Sequence, residues 1–198
     1  MDKKTIQEDR IRNYFIDAAR DIIRGEGINA ISARNVADRA GYSYGTLYNY
    51  FKDIRDLIFQ CAQEFMSECR EFVIEQSAGA APGRERCRII CREYAKFFIQ
   101  YPGIFELLFT QKLTDMATSD SEVTKIDTLF DSLIAEEINT LAAEDLRSAG
   151  NGGSAGNSLK NLKFSLHGLL MLTIFRRHPL PFPELMAEID QLVEICLS

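Results

Sequence analysis

The sequence predicts an all-α fold, and three observations support that prediction. Apolar residues recur at intervals of three and four, the spacing of one helix face, as in Ile11, Phe15, Ala18 and Ile22. No stretch alternates apolar and polar residues between turn signals, as a half-buried strand would. All five prolines come at or after Pro82, at plausible helix boundaries. We therefore expect a helical protein without a sheet.

The same spacing predicts the helices that follow the first one. It recurs within four further segments: 58–72, 90–101, 123–133 and 185–196. Two stretches rich in glycine, alanine and serine predict connectors, because they offer few side chains to pack. These connectors are Ser77–Gly83 and Gly150–Gly156.

One predicted helix departs from the amphipathic pattern. Residues Phe164–Phe175 read FSLHGLLMLTIF and are apolar on nearly every face, so we expect burial on all sides. A second helix follows after a short link, and two such hairpins would form a four-helix interface in a symmetric dimer. We therefore expect a homodimer through the helices at about 158–178 and 183–197. The alternative is that the apolar helix lies at the centre of a larger monomeric bundle.

Composition and charge limit the class of protein. Hydrophobic residues make up 46% and charged residues 26%, which excludes a collagen-like or disordered chain. The formal net charge of −6, taken whole, argues against a nucleic-acid partner. The charge is uneven, however, since residues 1–60 have ten basic and nine acidic side chains and residues 61–198 have thirteen and twenty. The direction of this split favours DNA binding by the first segment.

Cysteine and histidine usage predicts a reducing compartment and no metal site. The five cysteines include no Cys-x-x-Cys pair, and the two histidines lie far from Cys87 and Cys91. No apolar core follows the lysines near the start, as it would in a secretory signal. The most apolar run, Gly168–Phe175, has eight residues, whereas a membrane helix needs about 20. We expect a cytoplasmic protein with no cofactor and no membrane span.

The segment Ile31–Leu57 carries the clearest functional pattern. Its first helix would be capped by Ser32 and closed by Gly41, and its second would be capped by Ser43 and run to about Phe51. Two helices of about eight residues around a short turn are typical of a helix-turn-helix, whose second helix enters the major groove of DNA.

The second of these helices has an unusual set of polar side chains. Three of the chain's seven tyrosines, a threonine and an asparagine fall within seven residues: Tyr44, Thr46, Tyr48, Asn49 and Tyr50. Side chains of these types contact phosphates and base edges. The alternative is that the aromatic residues are ordinary core side chains with a polar tip, an interpretation that we accept for Phe51.

The eleven residues Gly41–Phe51, GYSYGTLYNYF, resemble the signature of the TetR family of bacterial transcriptional regulators. Tyr101–Phe109 is similar to a segment found in one subgroup of that family. The resemblance implies a three-helix DNA-binding domain, a helical ligand-binding domain and a homodimer on a near-palindromic operator. We accordingly expect a DNA-binding domain at residues 1–54 and a sensing and dimerisation domain at residues 55–198.

The resemblance also implies roles for individual residues. Arg34 matches a position that reaches a base from the preceding helix, and Tyr44 and Gly45 match the start of the recognition helix. The positions that match phosphate contacts are Thr46, Tyr48 and Tyr50. The expected DNA-binding residues are Arg34, Ser43, Tyr44, Gly45, Thr46, Tyr48, Asn49, Tyr50, Lys52 and Arg55.

One position departs from the family pattern. Members commonly have a phosphate-binding lysine at the start of the fourth helix, where this chain has Ile54. Lys52 and Arg55 flank that position, and either could bind the phosphate in place of the lysine.

The rest of the chain is expected to bind an effector. We expect a small apolar or aromatic molecule, since pockets are lined mainly by apolar and aromatic side chains. The candidate contacts are Phe65, Phe97, Phe98, Phe105, Phe109, Phe130, His167 and Met171. For His167 the alternative is a hydrogen-bonded core histidine.

Two rival functions fit parts of the sequence. Residues Gly41–Gly45 match the G-x-S-x-G elbow of α/β-hydrolases, which needs a strand before the serine and a histidine partner after it. The preceding segment is rich in helix formers, and both histidines lie in or just after a late helix, so we expect no catalytic residue. The second rival is a helical interaction protein without a DNA role, which predicts no charge organisation around the tyrosines.

Overall fold

The computed structural model describes residues 3–113, 124–125, 128–149, 155–176 and 178–197. Within these ranges the chain is helical and has no strand, which confirms the all-α prediction. A short 3-10 helix lies at Ile28–Ala30. The α-helices are α1 (Lys3–Glu26), α2 (Ala33–Ala40), α3 (Tyr44–Leu47), α4 (Ile54–Ser77), α5 (Arg84–Gln100), α6 (Pro102–Thr110), α7 (Leu129–Ala149), α8 (Ala155–Ile174) and α9 (Phe182–Cys196).

The chain divides into two compact units. The first contains residues 1–67 and 101–126, and the second contains residues 68–100 and 127–198. Helix α4 therefore contributes to both units, and α6 belongs with the N-terminal helices although it follows α5 in the sequence. The expected domain boundary between residues 54 and 55 stays a prediction.

The first unit is built on the apolar face of α1. Phe15, Ala18 and Ile22, whose spacing predicted the helix, are buried, whereas Ile11 is half-buried. A helix with one apolar stripe is stable when that stripe packs against neighbouring elements. Here α2 and α6 are among those neighbours.

Helix α6 approaches α1 closely at Gly103. A Cβ atom at this position would lie 2.1 Å from the backbone carbonyl oxygen of Ile23, a distance that real Cβ atoms essentially never show. The same atom would lie 3.2 Å from the Cα of Gly27. The amide of Asn29 also donates to Glu106 on α6, at 3.3 Å. Glycine at position 103 therefore permits α6 to complete the core of the first unit.

The second unit pairs α5 with α9 through charged as well as apolar side chains. Arg92 pairs with Asp190, and both Arg84 and Arg88 pair with Glu194 one turn further along α9. These pairs are partly exposed, so each contributes only about 0–1 kcal/mol. The larger contribution comes from the buried apolar residues of α9: Leu185, Met186, Ile189 and Val193.

The boundary between α5 and α6 differs slightly from the prediction. The predicted segment ran to Tyr101, whereas α5 ends at Gln100 and Pro102 begins α6. A residue before proline is disfavoured in the helical conformation, and Tyr101 has φ −127° and ψ 70°. The connector predicted at Ser77–Gly83 lies between α4 and α5.

Some predictions fall on residues outside the described ranges. Val123 and Ile126 of the predicted fourth segment are among them, and the described helix there begins at Leu129. Residues 150–154 of the second connector are also outside these ranges, and α8 begins at Ala155. The helix expected at about 158–178 ends at Ile174, and residue 177 is not described. Of the helices in the described ranges, none is both long and apolar enough to cross a membrane.

Candidate nucleic-acid interface

Local hydrogen bonds fix α2, the turn after it and α3. At the start of α2, the Oγ atom of Ser32 accepts the backbone N–H of Asn35 at 3.1 Å. Gly41 closes α2 with φ 78° and ψ 26°, a left-handed conformation that favours glycine. The Oγ atom of Ser43 then accepts the backbone N–H of Thr46 at 3.2 Å. The two caps and the turn form the helix-turn-helix that the sequence predicts.

Helix α3 is shorter than predicted. Its α-helical part has four residues, Tyr44–Leu47, instead of running to about Phe51. The N–H groups of Asn49 and Tyr50 donate to carbonyl oxygens three residues back, at 3.1 and 3.0 Å. Such bonds tighten a helix into 3-10 geometry. The glycine, threonine, tyrosine and asparagine of this stretch are also weak helix formers. The recognition segment, residues 44–51, is therefore one α-turn continued by tight turns.

The recognition segment is too short to be stable alone, and Phe15 of α1 holds both of its ends. The centroid of the buried Phe15 ring lies 5.5 Å from that of Tyr42, just before the segment. At the other end, the Phe15 ring lies 6.1 Å from Tyr50 and 6.3 Å from Phe51. We call these four residues the Phe15 hub. Sequence reasoning missed the hub, although the helical spacing had marked Phe15 as an apolar position.

Most of the expected DNA-binding side chains face solvent. Tyr44 is 63% exposed and Tyr48 is 49% exposed, which rejects a core role for both. The other exposed members of the set are Arg34, Ser43, Gly45, Asn49, Lys52 and Arg55. Thr46 and Tyr50 are half-buried. The Thr46 hydroxyl lies 2.8 Å from the Oγ atom of Ser43, so this side chain already takes part in the cap.

The positively charged side chains near the recognition segment differ in whether they form ion pairs. Arg39 pairs with Glu26 at 2.5 Å. Within the part of the chain that the structure describes, Arg34, Lys52 and Arg55 form no ion pair, so their charges are available to an anionic partner. Lys52 and Arg55 flank the half-buried Ile54, which occupies the position of the missing lysine.

In the second unit, four of the expected effector contacts gather around Tyr94. The Tyr94 ring, which is fully buried, lies 4.8 Å from Phe98, 5.1 Å from Phe130 and 5.6 Å from His167 between centroids. Phe97 lies 5.3 Å from Phe98. We call these five residues the Tyr94 cluster. Its central tyrosine was not among the predicted contacts, since helical spacing marked it only as an apolar position of α5.

Hydrogen bonds determine the protonation of His167. Its Nδ1 atom lies 2.8 Å from the backbone carbonyl oxygen of Lys163, which can only accept, so Nδ1 carries the proton. The Tyr94 hydroxyl then donates to Nε2 at 2.9 Å. Burial lowers the pKa of His167 below its usual 6.5, and burial raises the pKa of Tyr94 well above its usual value. Both groups are therefore neutral near pH 7.

The other expected effector contacts have different surroundings. Phe65, Phe105 and Phe109 lie in the first unit. There the guanidinium groups of Arg20 and Arg24 lie 5.3 and 5.2 Å from the centre of the Phe65 ring. Phe105 packs on Phe109 at 4.9 Å. Met171 is in the second unit, on α8, where it is exposed.

The helix-turn-helix lies within a region that matches a known family. The family model described as "Bacterial regulatory proteins, tetR family" matches residues 15–61. Residues 15–61 are therefore similar to the TetR family of bacterial regulatory proteins. The matched region covers α1 from Phe15 onward, α2, α3 and the start of α4.

Curated relatives of this chain are transcriptional regulators by name. It is 29% identical over 125 residues to the HTH-type transcriptional repressor KstR of Mycobacterium tuberculosis, covering 63% of this chain and 56% of that protein. It is 28% identical over 80 residues to the fatty acid metabolism regulator protein of Bacillus subtilis, covering 40% of this chain and 41% of that protein. The chain thus spans about half the length of the curated relatives it matches.

Solved structures of TetR-family regulators share the fold. FadR of Bacillus subtilis, in complex with stearoyl-CoA, superposes with a TM-score of 0.67 at 18% identity, over 93% of this chain and 97% of that one. A TetR-family regulator of Streptomyces coelicolor gives a TM-score of 0.71 at 16% identity, over 95% and 79%. At these identities the likeness establishes the fold alone.

The geometry around Ser43 rejects the hydrolase interpretation of the sequence. The segment before Ser43 is helix α2 with its glycine cap, whereas a nucleophile elbow requires a strand there. The Ser43 hydroxyl caps α3 and contacts the Thr46 hydroxyl. His167 is bonded to Tyr94 and Lys163 instead. Among the described residues, no group of three potential ligands could hold a metal ion.

Proposed function

We propose that the chain is a ligand-responsive transcriptional repressor that acts in the cytoplasm and binds a near-palindromic DNA operator as a homodimer. The observation that carries this proposal is the recognition segment, in which Tyr44 and Tyr48 are exposed at a helix capped by Ser43. A solvent-exposed run of aromatic hydroxyls has no role in a core, whereas it suits the edges and phosphates of a DNA groove. The repressor relatives support the same interpretation.

In this proposal the recognition segment divides its contacts between bases and phosphates. Arg34, Tyr44 and Gly45 face base edges, and Tyr48, Tyr50 and Thr46 face phosphates. Lys52 and Arg55 replace the lysine absent at Ile54. Their support is that both are exposed and that neither is committed to an ion pair among the described residues.

The homodimer would form through α8 and α9. The sequence predicts burial of Phe164–Phe175 on all sides, yet within one chain several of its apolar side chains are exposed. With their counterparts on α9 they are Phe164, Met171, Leu172, Phe175, Phe182 and Ile195. Exposed apolar side chains of this size on two neighbouring helices favour a protein interface, and two-fold dimers are the commonest oligomers. A second copy of the same hairpin would cover them.

The effector in this proposal is a small apolar or aromatic molecule contacted by the Tyr94 cluster. The cluster brings together buried aromatic side chains from three helices and one neutral polar pair. The FadR structure holds stearoyl-CoA, so a long-chain acyl thioester is a suitable first compound to test here. Release from DNA requires that the effector bind better to the conformation whose two recognition segments misfit the operator.

The proposal is tested by selecting bound duplexes from random DNA with the full chain. We expect a near-palindrome whose half-sites are one helical turn apart, about 34–36 Å. Arg34→Ala should then lose about 1–3 kcal/mol of discrimination at one base pair of each half-site. Tyr48→Phe should weaken binding to all sequences about equally. Absence of any selected sequence would contradict the proposed function.

The effector and the dimer have separate measurements. Stearoyl-CoA should raise the melting temperature and release the selected duplex, whereas coenzyme A alone should do neither. Sedimentation should give a dimer for the wild-type chain and a monomer for Leu172→Arg, which places a charge on the exposed face of α8. A wild-type monomer would contradict the interface.

A further inference from the structure

The first three turns of α1 have a face lined by side chains that can donate hydrogen bonds. Lys3, Gln7, Arg10 and Tyr14 are separated by four, three and four residues, so they line one side of the helix. All four are exposed. We call them the α1 donor face. The α1 donor face is a different side of the helix from the apolar one, on which Phe15, Ala18 and Ile22 are buried.

One end of the α1 donor face touches the recognition segment. The Tyr14 ring stacks on that of Tyr42, with centroids 6.3 Å apart and planes inclined by 27°. Tyr42 is the residue directly before Ser43, the cap of α3. Tyr14 is therefore fixed beside the N-terminus of the recognition segment, and Arg10 follows one turn along α1, at a rise of about 6 Å.

Between Lys3 and Tyr14 this face has no carboxylate, whereas Asp17 and Asp21 follow on the same side of the helix. Glu8 lies on another side and pairs with Lys4 at 3.9 Å. Asp17, at the next turn after Tyr14, pairs with Arg20 at 3.9 Å and marks the end of the donor face. Within the described part of the chain, Arg10 forms no ion pair. Lysine and arginine side chains offer only donors, so a surface of this composition suits an anionic partner.

We propose that the α1 donor face binds the phosphate backbone of the duplex next to the half-site that the recognition segment reads. This proposal rests on the proposed function, because the same DNA must be bound by α3. From Lys3 to Tyr14 the helix rises about 17 Å. At 3.4 Å per phosphate along one strand, that length matches about five base pairs. Contacts of this kind set register and affinity and carry no sequence information.

The test is the salt dependence of DNA binding by the full chain. The duplex is the selected operator with one extra helical turn on each side, measured between about 50 and 200 mM salt. Each phosphate that the protein no longer neutralises lowers the slope of log affinity against log salt by about 0.9, so Arg10→Gln should lower it by about two in a dimer. Lys112→Gln is the matched control, since it removes one exposed positive charge of the same unit from a residue outside α1.

A second variant separates the hydroxyl of Tyr14 from its ring. Tyr14→Phe keeps the stack on Tyr42, so it should leave the melting temperature unchanged while weakening binding equally to the selected and to a scrambled duplex. Equal slopes for Arg10→Gln and Lys112→Gln, with wild-type affinity for Tyr14→Phe, would overturn this inference while the proposed function stands. A wild-type chain that binds no duplex would instead remove both.

Discussion

The recognition segment and the Tyr94 cluster are held together in opposite ways. The caps that fix α2 and α3 each join residues three positions apart, and the segment leaves its tyrosines exposed. The hydrogen bond at the centre of the Tyr94 cluster joins residues 73 positions apart and is buried on the tyrosine side. The comparison teaches that the recognition segment depends on local geometry plus one distant anchor, Phe15, whereas the Tyr94 cluster adds contacts between α5, α7 and α8 to its local ones.

Phe15→Ala should have the largest effect, because it removes the anchor at both ends of the recognition segment. Truncating a buried phenylalanine costs about 3–5 kcal/mol of unfolding free energy, measured by urea denaturation. DNA binding should be lost as well. Tyr44→Ala is the control in the same unit: it should lose DNA affinity but leave the unfolding free energy within about 0.5 kcal/mol. Equal stability of the two variants would contradict the role of the Phe15 hub.

Gly103→Ala tests whether α6 packs closely against α1 in the first unit. The new Cβ atom would meet the backbone carbonyl of Ile23, which cannot rotate away, so α6 must shift. Such overpacking costs about 1–3 kcal/mol. Gly25→Ala, an open helical position of α1, should be neutral or stabilising by up to about 1 kcal/mol. Thermal unfolding of both variants measures the difference, and a stable Gly103→Ala chain would reject the close crossing.

Ser43→Ala should have a smaller effect on stability and a larger one on DNA binding. Loss of an N-cap costs about 1 kcal/mol. Because α3 has only four helical residues, the same loss should disorder the surface that meets DNA. Ser32→Ala removes the equivalent cap from the eight-residue α2 and should retain more affinity in a gel-shift assay. Equal loss of affinity would show that the two caps matter alike.

The smallest expected effect is a pH dependence of the Tyr94 cluster. Burial lowers the pKa of folded His167 below 6.5, so the unfolded chain takes up a proton first as the pH falls. The contribution of neutral His167 to the free energy of unfolding is therefore complete above about pH 6.5. It is lost as the pH falls through the lower pKa of the folded state. Melting temperatures at pH 7.5 and 5.5 should differ less for His167→Gln than for wild type. His178 is exposed, so His178→Gln should show the same difference in melting temperature as wild type. A smaller difference for His178→Gln would contradict the assignment of the pH dependence to His167.

The fold class and the helix-turn-helix could be predicted because their signals are local. Ser32, Gly41 and Ser43 cap helices through bonds to residues only three or four positions away. The residues that form these bonds are therefore close together in the sequence. The length of α3 was overestimated, since the choice between α and 3-10 hydrogen bonds after Leu47 depends on how Tyr50 and Phe51 pack on a distant ring.

The sequence predicts only the composition of the Tyr94 cluster, and not its contacts. Helical spacing marked Tyr94, Phe97 and Phe130 as apolar positions, but which of them meet His167 depends on the crossing of α5, α7 and α8. Exposure of Met171 has the same origin, because a nearly all-apolar helix gives no sign of which side faces its own core. Nor does any sequence pattern reveal that Gly103 faces a backbone carbonyl 80 positions earlier.

The place of α6 in the first unit has a consequence for synthesis on the ribosome. Residues 68–100, which belong to the second unit, are made between α4 and α6. The roughly 40 residues between the end of the first stretch and Thr110 take about 2–8 s to translate at 5–20 residues per second. During that interval the side of α1 that receives Gly103 is uncovered. The first unit therefore cannot finish folding before residues 68–100 of the second unit have been made, whereas residues 127–198 follow later.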